Sequence, residues 1–157
     1  MLDIPAGTGR LTPALARTGA RTVAADRSPT MLAEVEGAAR LLADVRRLPF
    51  PGGAFDATVC CRLLHHLEPD QRRAAISELV RVTRELVIVS FWDAGSLHAW
   101  RRRTGLRRAS HPDSRRAVPR EAIRADLEAA GARVLGWAAS FRFVSPQTFV
   151  AARVDGR

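Results

Sequence analysis

The chain has 157 residues, 46% of them hydrophobic and 26% charged, with a formal net charge of +9. That is the size of one domain with a buried core, and single chains of about 100–200 residues are typical of one. No apolar run approaches the roughly 18 residues needed to span a bilayer, and Asp3 and Pro5 stand where a signal peptide needs positive charge and a long apolar stretch, so a cytoplasmic protein is expected.

In chain order, residues 1–4 read as a short buried strand. Residues 10–18 read as a helix closed by Gly19, and 22–26 as a second strand ending in Asp26. Ser28-Pro29 supplies an N-cap with proline at the first helical position, and the helix is expected to run to about Gly37. Residues 40–43 are a third strand ending at Asp44, and Leu48 to Gly53 is a loop by its Pro and Gly content. Residues 55–61 form a central strand, 69–82 a helix and 85–91 the most strand-like run of all. A polar segment covers 93–118, 119–130 is a helix capped by Gly131, and strands at 133–139 and 147–153 close the chain. Strands alternating with helices imply a Rossmann-like, doubly wound, mostly parallel α/β sheet. The last two strands are joined by too short a loop for a crossover helix, so they form an antiparallel C-terminal hairpin. With no repeat and no low-complexity linker, the whole chain, 1–157, is one domain.

All 25 basic residues are arginine. A polyanionic partner would explain this, as would the codon bias of a GC-rich genome, which accounts for the Arg/Lys ratio better than for the charge excess. Cys60 and Cys61 are adjacent, so on a strand they face opposite ways and do not pair. Two thiols do not make a zinc site, and no metal is expected.

The chemistry concentrates at the start. A strand ending at Asp3-Ile4, a Gly-rich loop and a helix lead to a second strand tipped by Asp26, roughly 20 residues on. This arrangement binds adenosine-containing cofactors. Gly7 and Gly9 let the backbone turn sharply and approach a ligand. The dinucleotide fingerprint needs a third glycine where Thr12 stands, which weakens a nicotinamide reading.

Four stretches in order resemble the class I S-adenosylmethionine-dependent methyltransferases: Leu2 to Gly9, Asp26 to Met31, Asp44-Val45 with Leu48-Pro-Phe50, and Phe55-Asp56 through Leu67. Pro5 and Arg10 depart from the commoner glycines of the first motif. Family members also carry a helical segment before the first strand, whereas Met1 lies inside it, so a truncated N-terminus is expected. The resemblance implies S-adenosyl-L-methionine as cofactor. Its tail would pack on Ala6, Gly7 and Gly9, with Asp3 accepting from its ammonium directly or through water. Asp26 would accept from both ribose hydroxyls. Arg27 and Met31 would flank the adenine, whose edge Asp44 and the Val45 amide would meet, and Arg62 and Leu63 would lie near the tail and sulfonium.

His65 and His66 follow the fourth strand, where the resemblance places the methyl acceptor. One of them could orient the acceptor or take its proton, or His66 could pack under the loop. Asp93 is a further candidate to contact the acceptor, with a helix cap or solvated acid as the plainer role. Residues 101–116 carry seven arginines against the single acid Asp113, suiting an anionic acceptor, a nucleic acid or merely solvent. With no Tyr in the chain to stack bases, a small-molecule acceptor is favoured over nucleic acid. The remaining alternatives are a nucleic-acid methyltransferase or binding module using that segment, and a catalytically impaired relative. A monomer or homodimer is expected, with no membrane partner.

Overall fold

The computed structural model describes residues 1–95, 116–139 and 147–155. Within them lie strands β1 (Leu2–Asp3), β2 (Val23–Asp26), β3 (Ala39–Leu42), β4 (Phe55–Cys60), β5 (Thr83–Trp92), β6 (Ala132–Ala139) and β7 (Gln147–Val154). The helices are α1 (Thr12–Ala16), α2 (Pro29–Ala33), α3 (Pro69–Val82) and α4 (Arg120–Ala129), with a 3-10 turn at Leu64–His66. The strands make one sheet in the order β3-β2-β1-β4-β5-β7-β6. Every pairing from β3 through β5 is parallel. β7 is antiparallel to both β5 and β6, as expected of the C-terminal pair. The sheet is therefore Rossmann-like and mostly parallel, flanked by helices.

The central strands are buried through continuous apolar runs. Leu2, Cys60, Val87 and Val89 face a core completed by Ile76 and Leu79 of α3 and Ile123 and Leu127 of α4. α3 begins where Pro69 and the Glu68–Gln71 capping box set it, with the Gln71 side chain accepting from the Glu68 amide at 3.3 Å. Arg72 of α3 and Asp126 of α4 pair at 2.6 Å with both side chains nearly buried, which ties the two helices together.

Two helices are shorter than expected. α1 covers only Thr12–Ala16, because Pro13 fixes its start and the Thr18 hydroxyl donates to the Leu15 carbonyl at 2.6 Å, drawing the chain into a turn. α2 starts as expected, with the Ser28 hydroxyl accepting from the Met31 amide, but stops at Ala33 rather than near Gly37. The Arg40 guanidinium donates to the end carbonyls of Leu32 and Ala33, and Val35 turns inward onto Ala6, Ala24 and Leu32. β5 is longer than the expected 85–91, since a strand paired on both sides keeps its ladder to the ends of its neighbours.

Candidate active site

The strand order reverses between β1 and β4. In open parallel sheets ligands bind at such a switch point, outside the carboxyl ends of the strands. A cavity of about 360 Å³ opens there. Pro5, Ala6, Gly7, Thr8, Arg10 and Leu11 of the loop after β1 form one wall. Asp26 from the tip of β2 and Met31 of α2 form a second, and Cys61, Arg62, His65 and His66 after β4 close the far side with Trp92 from the tip of β5. A second cavity of about 290 Å³ adjoins it, sharing Pro5 and His66, and is lined by Arg27, Asp44, Val45 and Leu63.

Asp26 organises the loops. Its Oδ2 accepts from the Gly7 amide and its Oδ1 from the Ser28 amide, both at 2.9 Å, so one carboxylate clasps the turns after β1 and β2. Each oxygen keeps a lone pair for a further donor. Gly7 has φ +56° and Gly9 φ +79°, left-handed values that favour glycine. A Cβ on Gly9 would stand 3.3 Å from Thr12 Oγ1 and from both Val35 methyls, so close packing also demands glycine there.

Asp3 lies beneath this loop with no exposed surface, and neither carboxylate oxygen has a hydrogen-bond partner among the described residues. Burial, and then the charge of Asp26, raise its pKa from the ordinary 3.8 to about 7. A buried acceptor without a donor, behind a Gly-rich loop, is the position a cationic ligand group or an ordered water would satisfy.

Asp44 borders the second cavity with its carboxylate already engaged. Two residues on, Arg46 folds back so that its Nε and Nη2 meet the carboxylate at 3.0 and 2.6 Å, holding the Asp44 pKa below the usual range. The Asp44-x-Arg46 spacing is the sequence signal for this clasp. Asp93 lines neither cavity. Its Oδ2 accepts from Arg120 Nε at 2.6 Å and from Thr148 Oγ1 at 3.2 Å, and its Oδ1 accepts from the Gly95 amide at 2.8 Å. Among the described residues it acts as a latch between β5, β7 and α4.

Arg62 adopts φ +61°, rare for a residue with a side chain, and its amide donates to Ser90 Oγ at 2.9 Å. His65 is buried and stacks on Trp92, with ring centroids 4.9 Å apart and planes 10° from parallel, while His66 packs against it at 4.3 Å. Both histidines thus border the cavity. Residues 101–115 of the Arg-rich segment lie outside the described residues. Arg116 is described, and binds Glu68 Oε2 at 2.7 Å through its guanidinium and the His65 carbonyl at 2.8 Å through its amide.

The sequence set therefore converges. Ala6, Gly7, Asp26, Met31, Arg62, His65 and His66 border the first cavity, and Arg27, Asp44, Val45 and Leu63 the second. Asp3 lies beneath the loop, and Gly9, within it, lines neither cavity. Arg10, Cys61 and Trp92 were absent from that set. Trp92 was findable, because it ends the fifth strand at the carboxyl edge of the sheet.

Residues 2–91 match the family described as "Methyltransferase domain". The chain belongs to this family. The resemblance to class I S-adenosylmethionine-dependent methyltransferases thus holds for family and fold. Over 98 residues this methyltransferase domain is 38% identical to a demethylmenaquinone methyltransferase of Beutenbergia cavernae and 42% identical to that of Mycolicibacterium vanbaalenii, in each case 58% of the chain. It spans about two fifths of the length of those curated relatives, 40% and 41%. It also superposes on the magnesium protoporphyrin IX methyltransferase of Synechocystis PCC 6803, a structure with bound SAH. The TM-score is 0.80 at 23% identity, covering 98% of this chain and 73% of that one. No helix among the described residues is long and apolar enough to cross a membrane.

Proposed function

We propose that this chain transfers a methyl group from S-adenosylmethionine to a small molecule. The observation that carries the reading is the pair of carboxylates at the switch point: Asp3, buried without a donor, and Asp26, clasping two loops with lone pairs to spare. These residues fit the cofactor. Asp3 would accept from the ammonium, and Asp26 from the ribose hydroxyls. The Gly7–Gly9 loop would lie along the tail, with Arg62 across the cavity near the sulfonium. Arg27, Met31 and Leu63 would flank the adenine between the two cavities, and Val45 would meet its edge. When bound, the cofactor supplies a methyl group already activated on sulfur.

The protein's own work is then to align the acceptor, because holding reacting atoms in line supplies much of such an acceleration. His66 borders both cavities and would take a proton from the acceptor, with His65 stacked on Trp92 beside it. The relatives named for demethylmenaquinone support an acceptor of small-molecule size.

The test is calorimetric titration with S-adenosylhomocysteine on the wild type and on Asp26→Ala. Micromolar binding that the variant loses by more than about 100-fold is expected. Equal binding by both proteins, or none by a folded wild type, would remove the reading.

A further inference from the structure

The cavity is unevenly charged. Arg10 and Arg62 border it, and neither guanidinium has a hydrogen-bond or ion-pair partner among the described residues. The one carboxylate in its lining, Asp26, is already engaged by two backbone amides. Resting on the function proposed above, the cofactor would bring one carboxylate together with an ammonium and a sulfonium. Arg10, on the loop that would carry the cofactor tail, is placed for that carboxylate. Arg62 lies across the cavity beside His65 and His66, and its charge would stay uncompensated next to a cationic sulfonium.

The backbone singles out Arg62 further. At φ +61° glycine or asparagine would be less strained, yet the position carries a long cation, held by the Ser90 hydroxyl under its amide. Strain retained at a cavity edge points to a role for the side chain. Beside it lies an aromatic stack that borders the cavity, with His65 on one face of Trp92 at 4.9 Å and His66 tilted against His65. A cation next to a flat aromatic face recognises a ring that bears an acidic group.

We propose that the acceptor is a planar aryl carboxylate, its ring packed on Trp92 at the cavity edge and its carboxylate on the Arg62 guanidinium. This differs from a neutral quinol, which would leave Arg62 without a counter-charge.

The experiment is calorimetric titration of 1-hydroxy-2-naphthoate, with and without saturating S-adenosylhomocysteine. The comparison probes are 1-naphthol, which keeps the ring and lacks the carboxylate, and decalin-2-carboxylate, which keeps the charge and lacks the flat ring. The naphthoate should bind at least tenfold tighter than either. Arg62→Asn, whose side chain tolerates the left-handed backbone, should reduce the naphthoate-to-naphthol preference to about onefold. That ratio would not move if the site were merely loosened. Trp92→Leu should weaken naphthoate and naphthol at least fivefold and leave decalin-2-carboxylate unchanged. An unchanged preference in Arg62→Asn, naphthol binding as tightly as naphthoate, or no naphthoate binding under either condition would overturn the inference. Arg62-dependent naphthoate binding to a chain that ignores S-adenosylhomocysteine would support it while removing the cofactor reading.

Discussion

Replacing Asp3 by Asn removes a carboxylate that the fold holds away from water and donors. In the unfolded chain Asp3 titrates near 3.8, and in the fold near 7. Between those values the folded state holds a proton that the unfolded state has lost, so unfolding free energy falls as pH rises and levels off above about 7. The difference of roughly 3 units corresponds to about 4 kcal/mol at 1.36 kcal/mol per unit. Wild type should therefore lose about 1.4 kcal/mol per pH unit between about pH 5 and 7 relative to Asp3→Asn. The amide has its own unmet hydrogen bonds, costing about 1–3 kcal/mol. The variant should still be the more stable protein at pH 8, by about 1–3 kcal/mol. Urea unfolding of both proteins at pH 5, 6, 7 and 8 reads this directly. The same logic makes wild-type affinity for S-adenosylhomocysteine rise through pH 7, as the carboxylate that would meet its ammonium ionises. Parallel stability curves for the two proteins would refute the reasoning, because Asp3 would then titrate alike folded and unfolded.

Gly7→Ala and Gly9→Ala should separate binding from stability. Both meet left-handed strain of about 1–2 kcal/mol. Only Gly9→Ala adds a clash with Thr12 and Val35, so its thermal midpoint should fall further, while Gly7→Ala, at the cavity wall, should lose more ligand affinity by calorimetry. Arg72→Ala should destabilise by about 3–5 kcal/mol in urea, since it strands the buried Asp126 carboxylate. The double change to Arg72→Met and Asp126→Leu should restore most of that loss. Asp93→Asn should lower stability by about 1.5–3 kcal/mol through its weakened contact with Arg120, and leave S-adenosylhomocysteine affinity within twofold.

Those outcomes bear on what the sequence made legible. The start of the chain was readable because its signals are local: glycines where φ is positive, and an acid at a strand tip. Proline with a capping box set the start of α3, and the short link between the last two strands made them antiparallel. What escaped depends on side chains reaching back. Arg40 ends α2 early from the next strand, Arg46 closes on Asp44, and Arg120 joins Asp93 across 27 residues. In a chain whose only cation besides histidine is arginine, any of many guanidiniums fits any acid, and periodicity does not say which one arrives. The strained backbone of Arg62 had no sequence signal, because the Ser90 hydroxyl beneath its amide comes from another strand.

Ser90 also gives the last strand a part in the site. Its Oγ accepts from the Arg62 amide and from Gln147 Nε2, each at 2.9 Å. Gln147 opens β7, far beyond residue 91, where the family match ends. During synthesis, every wall of the cavity has left the ribosome before that side chain exists. The turn bearing Arg62 therefore gains its final support only when the C-terminal hairpin closes. A nascent chain halted before residue 147 would hold the Gly loop and the strand-tip acid, with the opposite wall still unset.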